Sequence, residues 1–407
     1  MMPKIIIISM RTNKTMNSTI LFLFGLLLFL ANGDNFAAAP LIVNIAQDLN
    51  FSVNAAATSV TAYMLAFGVF TVLFGPLSDR YGKVLIIHIA TMGTAIFSIL
   101  GALAYDLPSL IFFRTVNGAF ATGLLPVIFA YIGQSVNDDE RPKALTKVMS
   151  FGFLGTATAT LIGGAIAYFG SWKFVYLSYG IMELCLAIAM IKLIKRDKPI
   201  SDKLNMFASY KTVLKHKGVI SLLPLFVFVG FTVFGIFTYS GQLITQRFGV
   251  DIFTVGTMLS SFGVGIMFTG KTIPSLRNKL QHYYMPFAGF VLSSALLGLS
   301  NTSNTLLFCF YLFMFGSGFI LFQPVFISKI QEQIPNMKGT IMSVASLSLY
   351  VGAALGTTLN GLIINNWGMQ NMLYISAAVI LITGFIASIV MSSLDKPNTL
   401  ETANKLP

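Results

Sequence analysis

Residues 74–87 read FGPLSDRYGKVLII. Asp79, Arg80 and Lys83 stand there between two long hydrocarbon runs, 55–77 and 84–104. A chain that leaves one apolar run and enters the next within so few residues has to double back. Gly75 lets neighbouring helices approach closely, and Gly82 tolerates the left-handed backbone of so abrupt a reversal. Asp79 sets a negative charge where the N-terminus of a neighbouring helix would attract it. The stretch reads as a tight polar turn between two membrane crossings.

The rest of the chain repeats that arrangement. Of 407 residues, 55% are hydrophobic and 10% charged, whereas a soluble domain carries about 25% charged residues. Apolar runs of about 18 residues or more, each enough to cross ~30 Å of hydrocarbon as a helix, occur at 18–43, 55–77, 84–104, 108–132, 148–168, 172–194, 219–243, 252–270, 283–300, 305–327, 340–364 and 371–393. The runs are continuous and lack the ten-residue alternation of barrel strands, so they predict helices. The expected fold class is an all-α integral membrane protein with 12 transmembrane helices in an inner or plasma membrane.

A net charge of +12 raises the question of nucleic acid, and its distribution answers it. With the N-terminus inside, Lys173, Arg247 and Arg114 are the only ones of the 26 Lys and Arg outside the cytoplasmic segments. That asymmetry follows the positive-inside rule, predicts both termini cytoplasmic, and accounts for the basic balance without a polyanionic partner. Residues 1–15, MMPKIIIISMRTNKT, hold an apolar patch too short to span. They read as a leader, or as a sign that translation begins at Met10 or Met16; no signal-peptide cleavage site follows the first run. Cys185 and Cys309 fall inside spans, so they are expected to pack, with neither a disulfide framework nor a metal site.

The Lys-rich stretch KRDKPISDKLNMFASYKTVLKHKG (195–218) divides the spans into two sets of six. The expected divisions are a leader (1–17), a first six-helix bundle (18–194), a linker (195–218), a second six-helix bundle (219–393) and a tail (394–407). An internal repeat supports them at an offset of 198. Gly118, Pro126 and Val127 of the fourth span match Gly316, Pro324 and Val325 of the tenth. Gly170, Tyr176 and Ser178, placed with the fifth span, match Gly368, Tyr374 and Ser376, placed with the eleventh. Two parallel halves around a central cavity are what a rocking transporter needs.

The opening stretch resembles the loop between helices two and three of the major facilitator superfamily, of the form G-x-L-[SA]-D-R-x-G-[RK]-[RK]. Gly75, Leu77, Ser78, Asp79, Arg80, Gly82 and Lys83 carry the resemblance. Other stretches are similar to the 12-helix drug:proton antiporter branch. They are Arg114 and Gly118 in LIFFRTVNGAFATG, Gly163 and Gly164 of the helix-five motif in GTATATLIGG, PLIVNIAQDLNFS after span one, and GSWKFVYL opening span six. The helix-five motif has Ala159-Thr160 where the family's antiporters have Gly-Pro, and the second-half counterpart of the loop, TGKTIPSLRNKL, has lost its acidic residue. The resemblance implies two bundles around a central cavity, transport by alternating access, and a conformational latch built of Gly75, Asp79, Arg80, Gly82 and Lys83. In the family Asp79 would join the halves near the start of helix eleven, here Lys338 to Thr340.

Three ionisable groups lie deep in spans: Asp34, Arg114 and Glu183. A charge at the bilayer centre costs about 2.5–3.5 kcal/mol or more, so each marks a cavity, a partner or a function. Asp34 reads either as a proton carrier on a cavity wall, with room left by Ala31, Ala37 and Ala38, or as a structural carboxylate near a kink at Pro40. Arg114 either approaches Asp34 or bonds carbonyls within its own half. Glu183 is a second protonation candidate, on a helix usually peripheral in the family fold. The position matching Arg114 in the second half is Leu312, so proton coupling is assigned to Asp34, Glu183 and Arg114. Neutral groups are assigned to substrate: Asn32, Asn35, Tyr63, Asn117, Tyr239, Gln242, Gln323 and Asn360.

The phosphate-cradling G-x-x-x-x-G-K-[ST] is missing, so an ion gradient is the expected energy source and no cofactor is implied. The expected partners are a small-molecule substrate, protons and the lipid bilayer, with one chain sufficient for function. Proton-coupled export of a drug or secreted metabolite is the leading reading, and proton-coupled uptake is the alternative. A more remote alternative is an intramembrane aspartyl enzyme, prompted by Asp34 in NGD and Asp106 in YD. A sensor without flux would need an output domain that this stretch of chain lacks.

Overall fold

The computed structural model describes residues 17–137, 139–197, 206–334 and 337–395. Among them are no strands and twelve helices long and apolar enough to cross a membrane. They are α1 (Ser18–Phe36), α2 (Val53–Tyr81), α3 (Lys83–Ala102), α4 (Leu107–Ser135), α5 (Arg141–Phe169), α6 (Trp172–Leu193), α7 (Lys217–Phe248) and α8 (Ile252–Gly270), followed by α9 (Tyr284–Asn301), α10 (Thr305–Gln333), α11 (Lys338–Trp367) and α12 (Met369–Leu394). Each expected span has its helix. The expected leader and most of the tail lie outside the described residues.

The largest departures from the hydropathy reading, the break in α1 aside, are helix ends that run on past it. α2 runs to Tyr81 rather than 77, α5 begins at Arg141 rather than 148, and α10 continues to Gln333 rather than 327. Hydropathy registers hydrocarbon, whereas a helix needs only its own backbone bonds and continues into water through polar turns such as RPKALTK. The stretch FGPLSDRYGKVLII is accordingly two helix ends and no loop. Gly82 alone interrupts them, at φ +94°, where a side chain would be strained. The N-terminus of α3 then needs a cap. Asp197, just after α6, provides it: the Lys83 and Val84 amides donate to its two carboxylate oxygens, each at 2.9 Å. The acidic residue at that helix end is thus Asp197 rather than Asp79.

α1 breaks at Ala37 and resumes as Ala38–Asp48, because Pro40 has no N–H to give the carbonyl four residues earlier. The resumed helix is tied to the start of α6 where Trp172 donates from Nε1 to Asp48 at 2.9 Å. Two stretches read separately in the sequence, PLIVNIAQDLNFS and GSWKFVYL, therefore meet in space.

The repeat is visible as repeated packing. α1 packs on α5 as α7 does on α11, α2 on α4 as α8 on α10, and α3 on α6 as α9 on α12. Gly118 lies against the Tyr63 carbonyl of α2, and Gly316 lies likewise against the Phe262 carbonyl of α8. One correction concerns placement: Gly170 and Gly368 end α5 and α11, while Tyr176, Ser178, Tyr374 and Ser376 lie on α6 and α12.

The two bundles meet along α2 with α11 and α5 with α8. In the α5–α8 seam, Ala157 faces Gly263, Thr160 faces Gly256, and Gly164 faces Gly256 and the Ile252 carbonyl, backbone against backbone. Side chains interlock in the α2–α11 seam, where the Phe67 and Tyr350 rings lie 4.2 Å apart. Cys185, expected to pack, is exposed on the outer face of α6, and Cys309 is half-buried.

A methyl group at Gly118 or Gly316 has to push a helix backbone aside. Gly118→Ala and Gly316→Ala are each expected to cost roughly 1–3 kcal/mol of stability, read as lower unfolding midpoints in detergent. Gly133→Ala, with nothing within 4 Å of the added carbon, serves as the unaffected control. Unchanged midpoints for both matched glycines would contradict the shared packing.

Candidate functional site

The deep charges of the first half collect in one place. Arg114, 1% exposed, reaches from α4 to Asp34 on α1, 3% exposed, with Nη1 donating to Oδ2 at 3.2 Å. Ser98 of α3 donates to the other carboxylate oxygen at 3.1 Å and lies the same distance from the Tyr176 carbonyl of α6. The guanidinium sits against two rings, 4.2 Å from the centre of Tyr63 on α2 and 5.1 Å from that of Tyr176. Five of the six helices of the first half converge on this pair. Its remaining donors, Nε and Nη2, have no hydrogen-bond partner among the described residues.

Asp34 therefore does not stand on a cavity wall. Successive helical residues turn by about 100°, so Asp34 points into its own bundle while Asn35 and Phe36 point toward the other half. Those two, with Ala38, Ala39, Val60, Met64, Phe234, Phe237 and Thr238, line a narrow cavity of ≈ 10 Å³ between the halves, about the room one water needs. Ala37, expected to leave room beside the carboxylate, packs instead on Gly163.

Glu183, expected at the periphery, is fully enclosed. α6 turns it inward together with Tyr176, Tyr179, Gly180 and Ala187, the face that packs on α1 and α3. Its neighbours in electrostatic reach are Asp34 and Arg114. Neither carboxyl oxygen has a hydrogen bond of normal geometry, since the adjacent Thr94 hydroxyl donates to the Thr91 carbonyl at 2.9 Å. A bare charge so placed is costly.

Of the neutral candidates, Asn35 lines the cavity. Asn32 donates to the Gly152 carbonyl at 2.9 Å, tying α1 to α5. Asn117 donates to the Thr94 carbonyl at 3.1 Å, and Tyr63 lies beneath Arg114. In the second half, Tyr239 donates to the Thr357 carbonyl at 3.0 Å. Asn360 is wholly buried with both amide atoms unpartnered, and Gln242 buries an unpartnered Oε1. Gln323 is half-buried on α10.

Rings carry the site across the interface, which a count of aromatics does not disclose. From Tyr63 a chain of neighbours runs through Phe67 (6.2 Å), Tyr350 (4.2 Å) and Phe234 (5.6 Å) to Phe36 (6.1 Å) and Phe237 (5.5 Å). α2 thus touches the buried cation with one ring and the opposite half with the next.

The latch residues are placed as follows. Asp79 pairs with Lys83, 3.0 Å away in the same half, Lys83 being buried and Asp79 partly exposed. Arg80 lies over the Tyr81 ring at 5.2 Å. Gly75 faces Ser343 of α11. The side chain of Lys338 lies outside the described residues, so the family partner of Asp79 stays a proposal. Asp106, the other carboxylate of the enzyme alternative, caps the start of α4 by accepting from the Ser109 amide at 2.9 Å. Ser109 holds its carboxyl below the usual range. Arg114, and not Asp106, is the group paired with Asp34, so the constellation of an aspartyl enzyme is not assembled.

Comparison with known proteins gives a consistent picture. The profile of the Major Facilitator Superfamily matches residues 24–357. An uncharacterized MFS-type transporter, YceJ of Bacillus subtilis (strain 168), is 24% identical over 396 residues, 95% of this chain and 97% of its own length. The multi-drug resistance efflux pump PmrA of Streptococcus pneumoniae is 25% identical, covering 78% of this chain and 82% of the pump. Among solved structures, a bacterial homologue of the human lysosomal transporter Spinster, inward-facing and unoccupied, superposes with a TM-score of 0.74 at 14% identity, over 94% of this chain and 98% of that one.

Removing one partner of a buried pair strands the other. Asp34→Asn is expected to cost about 3–5 kcal/mol of stability by leaving Arg114 without a countercharge. Arg114→Met added to Asp34→Asn should restore at least half of it. Thermal unfolding of the purified variants in detergent reads both, and an Asp34→Asn protein as stable as the parent would show that the pair is dispensable to the fold.

Proposed function

Because the chain belongs to the major facilitator superfamily, and is thus a multi-pass membrane transporter of small molecules rather than an enzyme, we propose that it exports a lipophilic small molecule across a plasma membrane in exchange for protons. One observation carries the reading. A carboxyl group without a hydrogen bond of normal geometry, Glu183, stands beside a buried ion pair whose cation has donors to spare. The relative named as a multi-drug resistance efflux pump supports the direction, and the aromatic lining of the cavity between the halves supports a lipophilic cargo.

Glu183 holds the coupling proton in this scheme. While protonated it leaves Arg114 to Asp34. On losing the proton it competes with Asp34 for the unpaired Nε and Nη2 of Arg114. A shift of the guanidinium moves Tyr63, and through Phe67 and Tyr350 the change reaches α11 and the cavity wall at Phe234 and Phe36. Asp34 acts as the counter-ion that keeps the cation in the membrane, and neutral contacts come from Asn35 of the first half and from Gln242, Gln323 and Asn360 of the second. One proton crossing inward adds about 2.3 kcal/mol per 100 mV of membrane potential. The excess of Lys and Arg on the linker side supports an orientation with both termini cytoplasmic.

The test uses vesicles of purified protein with a trapped pH dye. The cargo is chosen from lipophilic dyes and drugs to which deletion of the gene sensitises the host. Cargo added to wild-type vesicles should drive proton movement, and Glu183→Gln should lower that signal at least tenfold while equilibrium binding of a neutral cargo persists. Wild-type proton movement in Glu183→Gln would remove the proton from this site. Accumulation of cargo with the proton flux, and not against it, would replace export by uptake.

A further inference from the structure

The linker contributes a contact that neither the ion pair nor the family loop explains. Its helix, Met206–Val213, packs against α11. From it Tyr210 reaches α2 and donates its hydroxyl to the Val72 carbonyl at 2.7 Å. That carbonyl is free for a reason written in the chain. Pro76 lies four residues on, inside α2, and has no N–H with which to complete the helical bond. Ser343 of α11 stands beside the same phenol, across from Gly75 of α2. Val213, one turn beyond Tyr210, is wholly buried. A linker helix, the proline-freed carbonyl of the first half and a hydroxyl of the second half thus meet at one point on the linker face.

We infer that Tyr210 is a clasp between the halves, with the linker holding α2 against α11 on that face through the carbonyl that Pro76 leaves open. A carbonyl half-buried between helices is costly to leave without a donor. Separation of α2 from α11 at this end breaks the three-way contact, so the clasp biases the protein toward the form closed at the linker face. The linker is then a working part of the conformational cycle as well as a tether.

Spin labels on cysteines replacing Gln134 at the end of α4 and Gln331 at the end of α10, in a chain with Cys185 and Cys309 changed to Ser, report the separation of the halves at the linker face. In lipid nanodiscs, Tyr210→Phe is expected to raise the ratio of long to short distances about fivefold or more. Pro76→Ala restores an N–H to Val72, so Tyr210→Phe in the Pro76→Ala background should change the ratio less than twofold. Two outcomes overturn the inference. One is an unchanged distribution in Tyr210→Phe; the other is an equal shift with and without Pro76, which would make the phenol a packing group rather than the donor that the proline requires.

Discussion

A guanidinium stripped of water has to be paid for by its neighbours, and most of the first half is arranged to do so. Arg114 is 1% exposed, and its surroundings come from α1, α2, α3, α4 and α6. Asp34 supplies the charge, Ser98 fixes the carboxylate, and Tyr63 and Tyr176 supply their π faces. These contacts constrain how each helix is rotated. The asymmetry between the halves follows. At the place of Arg114 the second half has Leu312, fully buried, and α10 packs there as an ordinary apolar helix.

The same constraint puts electrostatics and mechanics on one helix. α2 carries Tyr63 under the cation, Phe67 against Tyr350, Val72 and Pro76 at the linker, and Asp79 beside Lys83. The charge cluster and the linker face therefore both bear on the same helix.

Much of this was legible in the chain. Hydropathy located all twelve helices, since twenty apolar residues have few other uses. Gly82 was readable as the turn because a reversal so short requires a left-handed residue, and the offset of 198 was readable because close helix crossings leave glycine in both copies. Contacts that depend on helix rotation were not legible. Asp34 and Asn35 are neighbours in sequence, yet a turn of about 100° sends one to Arg114 and the other to the cavity. Glu183 was assigned to the periphery by its helix, whereas the small residues Gly180 and Ala187 on the same face bring that face against α3. Asp197 and Tyr210 act from the linker on groups more than a hundred residues away, and no local pattern announces such a partner.

The two seams between the bundles are exchanged by the internal symmetry but differ in texture. Where α5 meets α8 the surfaces are nearly bare backbone, with Gly164 on Gly256 and Ala157 on Gly263. Such a surface can shear without any side chain leaving its rotamer. Where α2 meets α11, rings interlock and must disengage before the helices slide. In the proposed cycle, a pair of bodies joined by one smooth edge and one toothed edge would move as a door does, swinging on the first and released at the second. The barrier to such a swing would lie on the toothed side, and bulk added along the smooth edge would stiffen it without touching the chemistry.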